Sequence, residues 1–282
     1  TAWTSLFISA SLLDTVLTEG PISYHMGGWE PPLGIEYRVD VASGYVLLLV
    51  SAIAAVVMPF GMGSANLTVP PSRKHLFYAA FLLCLTGLLG ITITGDAFNV
   101  FVFLEISSLS AYTLIALGVG RRALTAAFSY LVMGTIGGTF LLIGIGLMYQ
   151  MTGTLNMADL AARLPAVADT RTIHVAFAFI TVGVGVKLAV FPLHQWLPNA
   201  YTHAPSVVSA FLAATATKVS YYVLARMVFT IFGAAFVFGT LHLDRLLLPL
   251  SVAAMFLGTG AAIYQTNVKR LLAYSSIAQI GY

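Results

Sequence analysis

Residues 173–198, IHVAFAFITVGVGVKLAVFPLHQWLP, decide the fold. They begin as an apolar run long enough for most of a membrane crossing, which takes ~20 mostly apolar residues as a helix. Lys187 stands late in that run, and Pro192 follows it. Proline has no backbone N–H and clashes with the preceding turn, so the carbonyl of Leu188 loses its helical partner. Gly183 and Gly185 loosen the turn before. The segment reads as a membrane helix broken beside a lysine. Freed backbone is tolerated at membrane depth only where protein or water satisfies it, and transporters place ion sites at such breaks. A simple proline kink is the plainer alternative.

The rest of the chain agrees with a membrane setting. Of its 282 residues 59% are hydrophobic and 8% are charged, where a soluble domain carries about 25% charged residues. So few charges cannot cover a water-facing surface of this size. Disorder is excluded too, because it needs low hydrophobicity and high charge. The class left is all-α: a polytopic bundle of transmembrane helices. The net charge is +3, with no basic stripe, which argues against nucleic acid as a partner. The single cysteine, Cys84, lies in an apolar run and reads as a small buried residue. It excludes an intrachain disulfide and a cysteine metal site.

Spans fall near residues 3–18, 41–60, 76–94, 97–119, 123–149, 173–191, 206–232 and 246–265, with a ninth begun at about 271–282, in one transmembrane domain. The chain starts at Thr1 and stops at Tyr282 inside an apolar stretch, so it reads as a fragment of a longer protein. No basic stretch precedes residues 6–17, and they read as a truncated helix rather than a signal peptide. Three basic pairs, Arg73–Lys74, Arg121–Arg122 and Lys269–Arg270, are separated by even numbers of spans. All three then lie on one side, the cytoplasm by the positive-inside rule. The opposite side receives the loop 19–40, Asp96 and the loop 151–172. In the outer loop Trp29 and Pro31–Pro32 read as a rigid interfacial cap. Gly134 and Gly138, four apart, form a small-xxx-small packing face. Asp96 reads as a helix N-cap.

Three ionisable residues stand deep inside apolar spans: Glu105, Lys187 and Lys218. A charge at the bilayer centre costs ~2.5–3.5 kcal/mol on insertion scales, and such residues normally face the bundle interior or a wet cavity. A buried Glu105–Lys187 pair that only locks helices is the structural alternative, but a buried pair is a poor stabiliser. It also leaves Lys218 with no acidic partner. An amine in a low-dielectric setting can become neutral, and so can accept and release a proton; an arginine in effect cannot. His194, His203 and His242 flank these spans. Each is an interfacial or packed histidine, or a proton shuttle beside a hydrated lysine route. Their spacing gives no metal site. Lys269 is a topogenic charge or a further relay residue. Ser220, Tyr221 and Tyr222 read as lining or packing.

Three segments carry a resemblance: TGDAFNVFVFLEISSLSAYTLIALG (94–118), VKLAVFPLHQWLPNAYTHAPSVVSAFLAATATKVSYYVLAR (186–226) and NVKRLLAYSSIAQIGY (267–282). Together they resemble the antiporter-like subunits, a family that includes the proton-pumping membrane subunits of respiratory complex I, their hydrogenase relatives, and the A and D subunits of the Mrp Na+/H+ antiporters. The outer loop GGWEPPLGIEYRVD (27–40) and the string LPNAYTHAPSVVSAFLAATATKVSYY look most like the D subunits of that last group. The resemblance implies a fold of about fourteen membrane helices with two inverted five-helix repeats. The first repeat would occupy residues 76–232, and the second broken helix would lie beyond Tyr282. It matches the family's glutamate to Glu105, its broken-helix lysine to Lys187, its next-helix lysine to Lys218, and a later helix-opening lysine to Lys269.

The expected function is proton translocation in a multisubunit monovalent cation (Na+)/H+ antiporter of the cell membrane, through a Glu105–Lys187–Lys218 relay. The implied partners are other membrane subunits, protons, Na+ and the lipid bilayer. No cofactor is implied, and no covalent chemistry is required. The alternative is a proton-pumping subunit of an NADH:quinone oxidoreductase or membrane-bound hydrogenase, whose redox chemistry lies in other subunits. An inert membrane scaffold is a third reading; it predicts that apolar replacements of Lys187 and Lys218 are neutral or stabilising.

Overall fold

A computed structural model describes residues 1–282, the side chains of Met62, Asn66, Leu67 and Thr68 excepted. The architecture is a helix bundle with one small hairpin at its edge. The helices are α1 (Ala2–Glu19), α2 (Val41–Thr68), α3 (Lys74–Ile93), α4 (Ala97–Ala116), α5 (Arg121–Thr152), α6 (Met157–Arg163), α7 (Arg171–Leu188), α8 (Trp196–His203), α9 (Ser206–Ala225), α10 (Leu243–Ile263) and α11 (Val268–Gly281). Among the described residues, seven helices are long and apolar enough to cross a membrane: those covering 41–61, 71–93, 97–116, 121–152, 171–188, 206–231 and 243–263. α1 and α11 are not among them.

Side-chain caps start several helices. Asp40 and Ser43 form a capping box on α2, Asp96 accepts the backbone N–H of Asn99 at the head of α4, and Asn156 and Asn267 do the same for α6 and α11. Each cap satisfies a donor that the first helical turn leaves open. α9 does not run straight to the end of its span. It passes into a π-helix at Arg226–Ile231, turns at Gly233 with φ 80°, and is followed by a second π segment at Ala235–Thr240.

The segment 19–40 contains a hairpin rather than a plain loop. β1 (Ile22–His25) pairs antiparallel with β2 (Glu36–Val39), Ile22 facing Val39 and His25 facing Glu36. Trp29 and Pro31–Pro32 lie beyond the paired residues, and Trp29 is exposed. Glu36 pins the hairpin to the bundle. Its carboxylate is buried and accepts hydrogen bonds from Ser23 Oγ at 2.6 Å and Asn156 Nδ2 at 2.7 Å. Its carbonyl accepts from the Gly95 N–H at 2.8 Å. The residues before α2, α4 and α6 are thereby held at one end of the bundle. At the opposite end the Lys269 ammonium donates to the Ala204 carbonyl at 2.9 Å, which ties the start of α11 to the end of α8.

The most extensive helix pair is α5 with α7. Its backbones meet at Gly137 and Gly183: a Cβ on Gly183 would lie 2.6 Å from the Gly137 carbonyl oxygen, and one on Gly137 2.9 Å from that of Gly183. Gly144 makes a similar approach to Ala176 and Ile180. Small residues let membrane helices approach this closely. Gly134 and Gly138 face elsewhere, toward polar side chains of α4.

Candidate proton-transfer site

The site forms where α4 crosses α5 and the end of α7. On α4, Glu105, Ser108 and Tyr112 follow an i, i+3, i+7 spacing and share one face. Opposite them, the last turn of α7 delivers Lys187, which is 5% exposed. Its Nζ lies 2.7 Å from Ser108 Oγ, 3.3 Å from Tyr112 Oη and 3.4 Å from Glu105 Oε1. Three oxygens therefore meet the three donors of an ammonium group. The Glu105 side chain remains 23% exposed, so only the lysine end of the pair is sealed.

Glycines make the room. A Cβ on Gly134 would collide with the Tyr112 hydroxyl, and one on Gly138 with the Glu105 carboxylate. The sequence shows these two as a packing pair; in the structure they pack against the polar groups themselves.

The helix breaks where the proline predicts. α7 stops at Leu188, four residues before Pro192, and Ala189 takes a left-handed conformation with φ 62°. Two carbonyls of the last turn are satisfied inside the protein. Val190 N–H donates to the Gly185 carbonyl at 2.9 Å, and the Trp196 indole N–H donates to the Val186 carbonyl at 2.9 Å. Gly183 stays inside the regular helix against Gly137 and Leu141 of α5, while Gly185 lies against Val190 and Leu193 of the turn.

A cavity of about 20 Å³ adjoins Lys187, lined in part by Ser107, Ser108, Tyr130 and Ser220. That is room for one water molecule. Ser220 belongs to α9, so the cavity leads from α7 to the helix that carries Lys218. Lys218 itself points to a different space. It is exposed, its Nζ donates to the Ala213 carbonyl at 2.6 Å, and it lines a separate cleft of about 310 Å³ with Leu188, Thr217, Tyr221, Ser276 and Gln279.

The other candidates are dispersed. His194 sits in the broken turn with its ring stacked on Phe191 at 5.2 Å, and its buried Nδ1 has no hydrogen-bond partner among the described residues. His203 closes α8 near the charges of Arg122, Lys269 and Arg270. His242 is exposed, with φ 50°, just before α10. Lys269 lines a cavity of about 220 Å³ with Tyr201, Ser206, Ser209 and Ser276. The structure adds Ser108 and Tyr112, which sequence reasoning passed over. Their spacing from Glu105 was the available signal.

Known proteins share this arrangement of helices. The chain matches the NADH:quinone oxidoreductase/Mrp antiporter transmembrane family over residues 94–282. The N-type subunit of the NADH-quinone oxidoreductase of Desulforudis audaxviator (strain MP104C) is 46% identical over 279 residues, which is 97% of this chain and 54% of that relative. The D-type subunit of the Na(+)/H(+) antiporter of Bacillus subtilis (strain 168) is 32% identical over 276 residues, 98% of this chain and 55% of the relative. Among solved structures, a chain of the membrane-bound sulfane sulfur reductase, an archaeal respiratory membrane complex, superposes with a TM-score of 0.90 at 34% identity, over 99% of this chain and 56% of that one. The chain thus spans about half the length of the relatives it matches. With the broken helix, the buried lysine and these likenesses together, the chain belongs to the NADH:quinone oxidoreductase/Mrp antiporter transmembrane family.

Proposed function

We propose that this chain carries protons through part of a membrane by opening and closing the Glu105–Lys187 ion pair, as part of a subunit in a multisubunit membrane complex. The observation that carries the reading is a buried ammonium held by one carboxylate and two hydroxyls, beside a cavity the size of one water. When the pair is closed, the carboxylate keeps the ammonium charged. When it opens, the charge is left in a low-dielectric site, where the neutral amine is favoured. The proton then leaves through water toward Ser220 and the Lys218 side of α9. Lys218 opens on its own cleft, so this second transfer needs water in that cleft or a shift of α9. Small helix movements at the break throw the switch.

Two finer readings follow, with different drives. A respiratory, quinone-oxidoreductase type of complex is favoured by the 46% identity to the N-type relative, against 32% to the D-type antiporter relative. There, electron transfer in partner subunits drives the pair. A Na+/H+ antiporter of the D type is the second reading, favoured by the segment 27–40. There, proton movement is coupled to the countermovement of a cation rather than to electron transfer.

The test is the full-length protein in its native complex, purified and reconstituted in proteoliposomes. Lys187→Ala is expected to assemble and to lose proton movement. If it assembles and moves protons at the wild-type rate, the ion-pair reading is wrong. Proton movement set off by a Na+ pulse supports the antiporter reading. Movement that needs an electron donor, with redox subunits co-purifying, supports the respiratory one.

A further inference from the structure

Trp196 and Lys187 are joined twice. The first connection is through the backbone: the Trp196 indole N–H donates to the carbonyl of Val186, the residue before Lys187, at 2.9 Å. The second runs through side chains. The Trp196 ring stacks on Tyr130 with centroids 3.9 Å apart and planes 2° from parallel. Tyr130 meets Tyr112 edge to face at 4.6 Å and 81°, and the Tyr112 hydroxyl lies 3.3 Å from Lys187 Nζ. The circuit closes on itself, from the peptide that precedes Lys187 to the ammonium that ends it. All three rings are buried. They come from three helices, α4, α5 and α8, and Trp196 is the first residue of α8, on the far side of the break.

We infer that Trp196 is a positioning residue for Lys187, and that α8 is the lever through which movement on the far side of the break reaches the ammonium. The inference rests on the reading of Lys187 as a proton carrier.

The physical argument is one of stiffness. Stacked and edge-on aromatic pairs hold a preferred geometry beyond the area they bury, and close-packed interiors switch between discrete arrangements rather than bend. A shift of α8 cannot be absorbed at Trp196 alone. It pulls the Val186 carbonyl, and so the root of Lys187. Through Tyr130 and Tyr112 it also moves a hydroxyl that shares the ammonium with Glu105. A tryptophan that only filled space would need neither the indole hydrogen bond to the Val186 carbonyl, which the Ala189 N–H already engages at 3.2 Å, nor the two-ring path back to the same lysine.

The experiment uses the full-length protein in its assembled complex, in proteoliposomes, with proton movement measured across a range of pH. Trp196→Phe keeps an aromatic ring for stacking and removes the N–H. Tyr130→Leu removes the middle ring, and Tyr130→Phe keeps it. Trp196→Phe and Tyr130→Leu are expected to lower the rate per assembled complex several-fold. They should also move the pH of half-maximal rate by about half a unit or more, since both protonation states of an amine depend on its surroundings. Tyr130→Phe, which keeps the ring, should move the profile less than Tyr130→Leu does. A wild-type pH profile in assembled Trp196→Phe overturns the inference, as does a loss confined to the amount of complex. Should Tyr130→Leu not assemble, Trp196→Phe decides alone. Lys187→Ala run in parallel separates the failures. If it still moves protons, the carrier reading falls; if it is silent while Trp196→Phe is normal, only the lever falls.

Discussion

Lys187 lies closer to Ser108 than to its counter-ion: Nζ is 2.7 Å from Ser108 Oγ and 3.4 Å from Glu105 Oε1. The hydroxyl and the carboxylate have different tasks. Glu105 supplies charge, which depends on separation. Ser108 supplies a neutral oxygen that can hold either the ammonium or the free amine, because a hydroxyl both donates and accepts. A hydrogen bond to a charged group contributes about 1.5–3 kcal/mol, and each 1.4 kcal/mol is about tenfold in rate. Ser108→Ala should therefore lower proton movement about tenfold or more with normal assembly, and Ser108→Thr should restore much of it. Equal rates in vesicles carrying Ser108→Ala and wild type would remove the hydroxyl from the site.

The charge of Glu105 is tested by length and by neutralisation. Glu105→Asp keeps the carboxylate but shortens its reach across a gap already at 3.4 Å. Partial activity is expected. Glu105→Gln keeps the shape and removes the charge, so the switch has one position only. Its activity should fall to background in a pH-jump assay on inverted vesicles. Asp and Gln variants of equal activity would mean that the pair is not a switch.

The glycines of α5 separate function from assembly. Gly134→Ala and Gly138→Ala push a methyl group into the Tyr112 hydroxyl and the Glu105 carboxylate. The Glu105 carboxylate ends a side chain that can move aside, and the Tyr112 hydroxyl yields only together with the ring packed on Tyr130, so the helices should still dock while the ion pair is displaced. Gly137→Ala meets the Gly183 carbonyl at 2.9 Å, a backbone atom that cannot yield. Overpacking of this kind costs about 1–3 kcal/mol. Thermal unfolding in detergent should show the larger loss for Gly137→Ala, and transport per complex the larger loss for the other two. The reverse ranking would contradict the packing described above.

The bundle was legible in the sequence because apolar runs and charge depletion are strong signals, and because Pro192 can end a helix in only a few ways. Glu105 and Lys187 stood out for the same reason: charge is conspicuous in an apolar run. Ser108 and Tyr112 did not, because hydroxyl residues in a membrane helix usually bond their own backbone, as Ser107 and Ser110 do here. The hairpin was hidden as well. Its strands have four residues each, and what fixes them is Glu36 bonded to Asn156, 120 residues away. No local pattern shows such a pairing. The exposure of Lys218 was equally out of reach, since helical period alone does not say which neighbour covers a face.

The ion pair of Arg226 with Asp40 joins residues 186 positions apart at the hairpin end of the bundle. Arg226 Nε also donates to Tyr222 Oη at 2.9 Å, and Tyr222 Oη donates to the Thr92 carbonyl at 3.1 Å, so α2, α3 and α9 are latched together just where α9 turns into a π-helix. Burial works against the Asp40 charge, but the bonds from Arg226 and from Ser43 outweigh it and hold the carboxyl below its ordinary value of 3.8. A lowered acid value means that the stabilisation is complete above the unfolded value and is lost as pH falls through the folded one. Thermal stability should then drop below about pH 4 in the wild type and much less so in Asp40→Asn. At neutral pH Asp40→Asn should cost between the ~1 kcal/mol of an exposed pair and the ~3–5 kcal/mol of breaking a buried one, because both side chains are only partly covered. An Asp40→Asn protein that melts like wild type at pH 7 would show that the Tyr222 contacts hold the three helices without the charge.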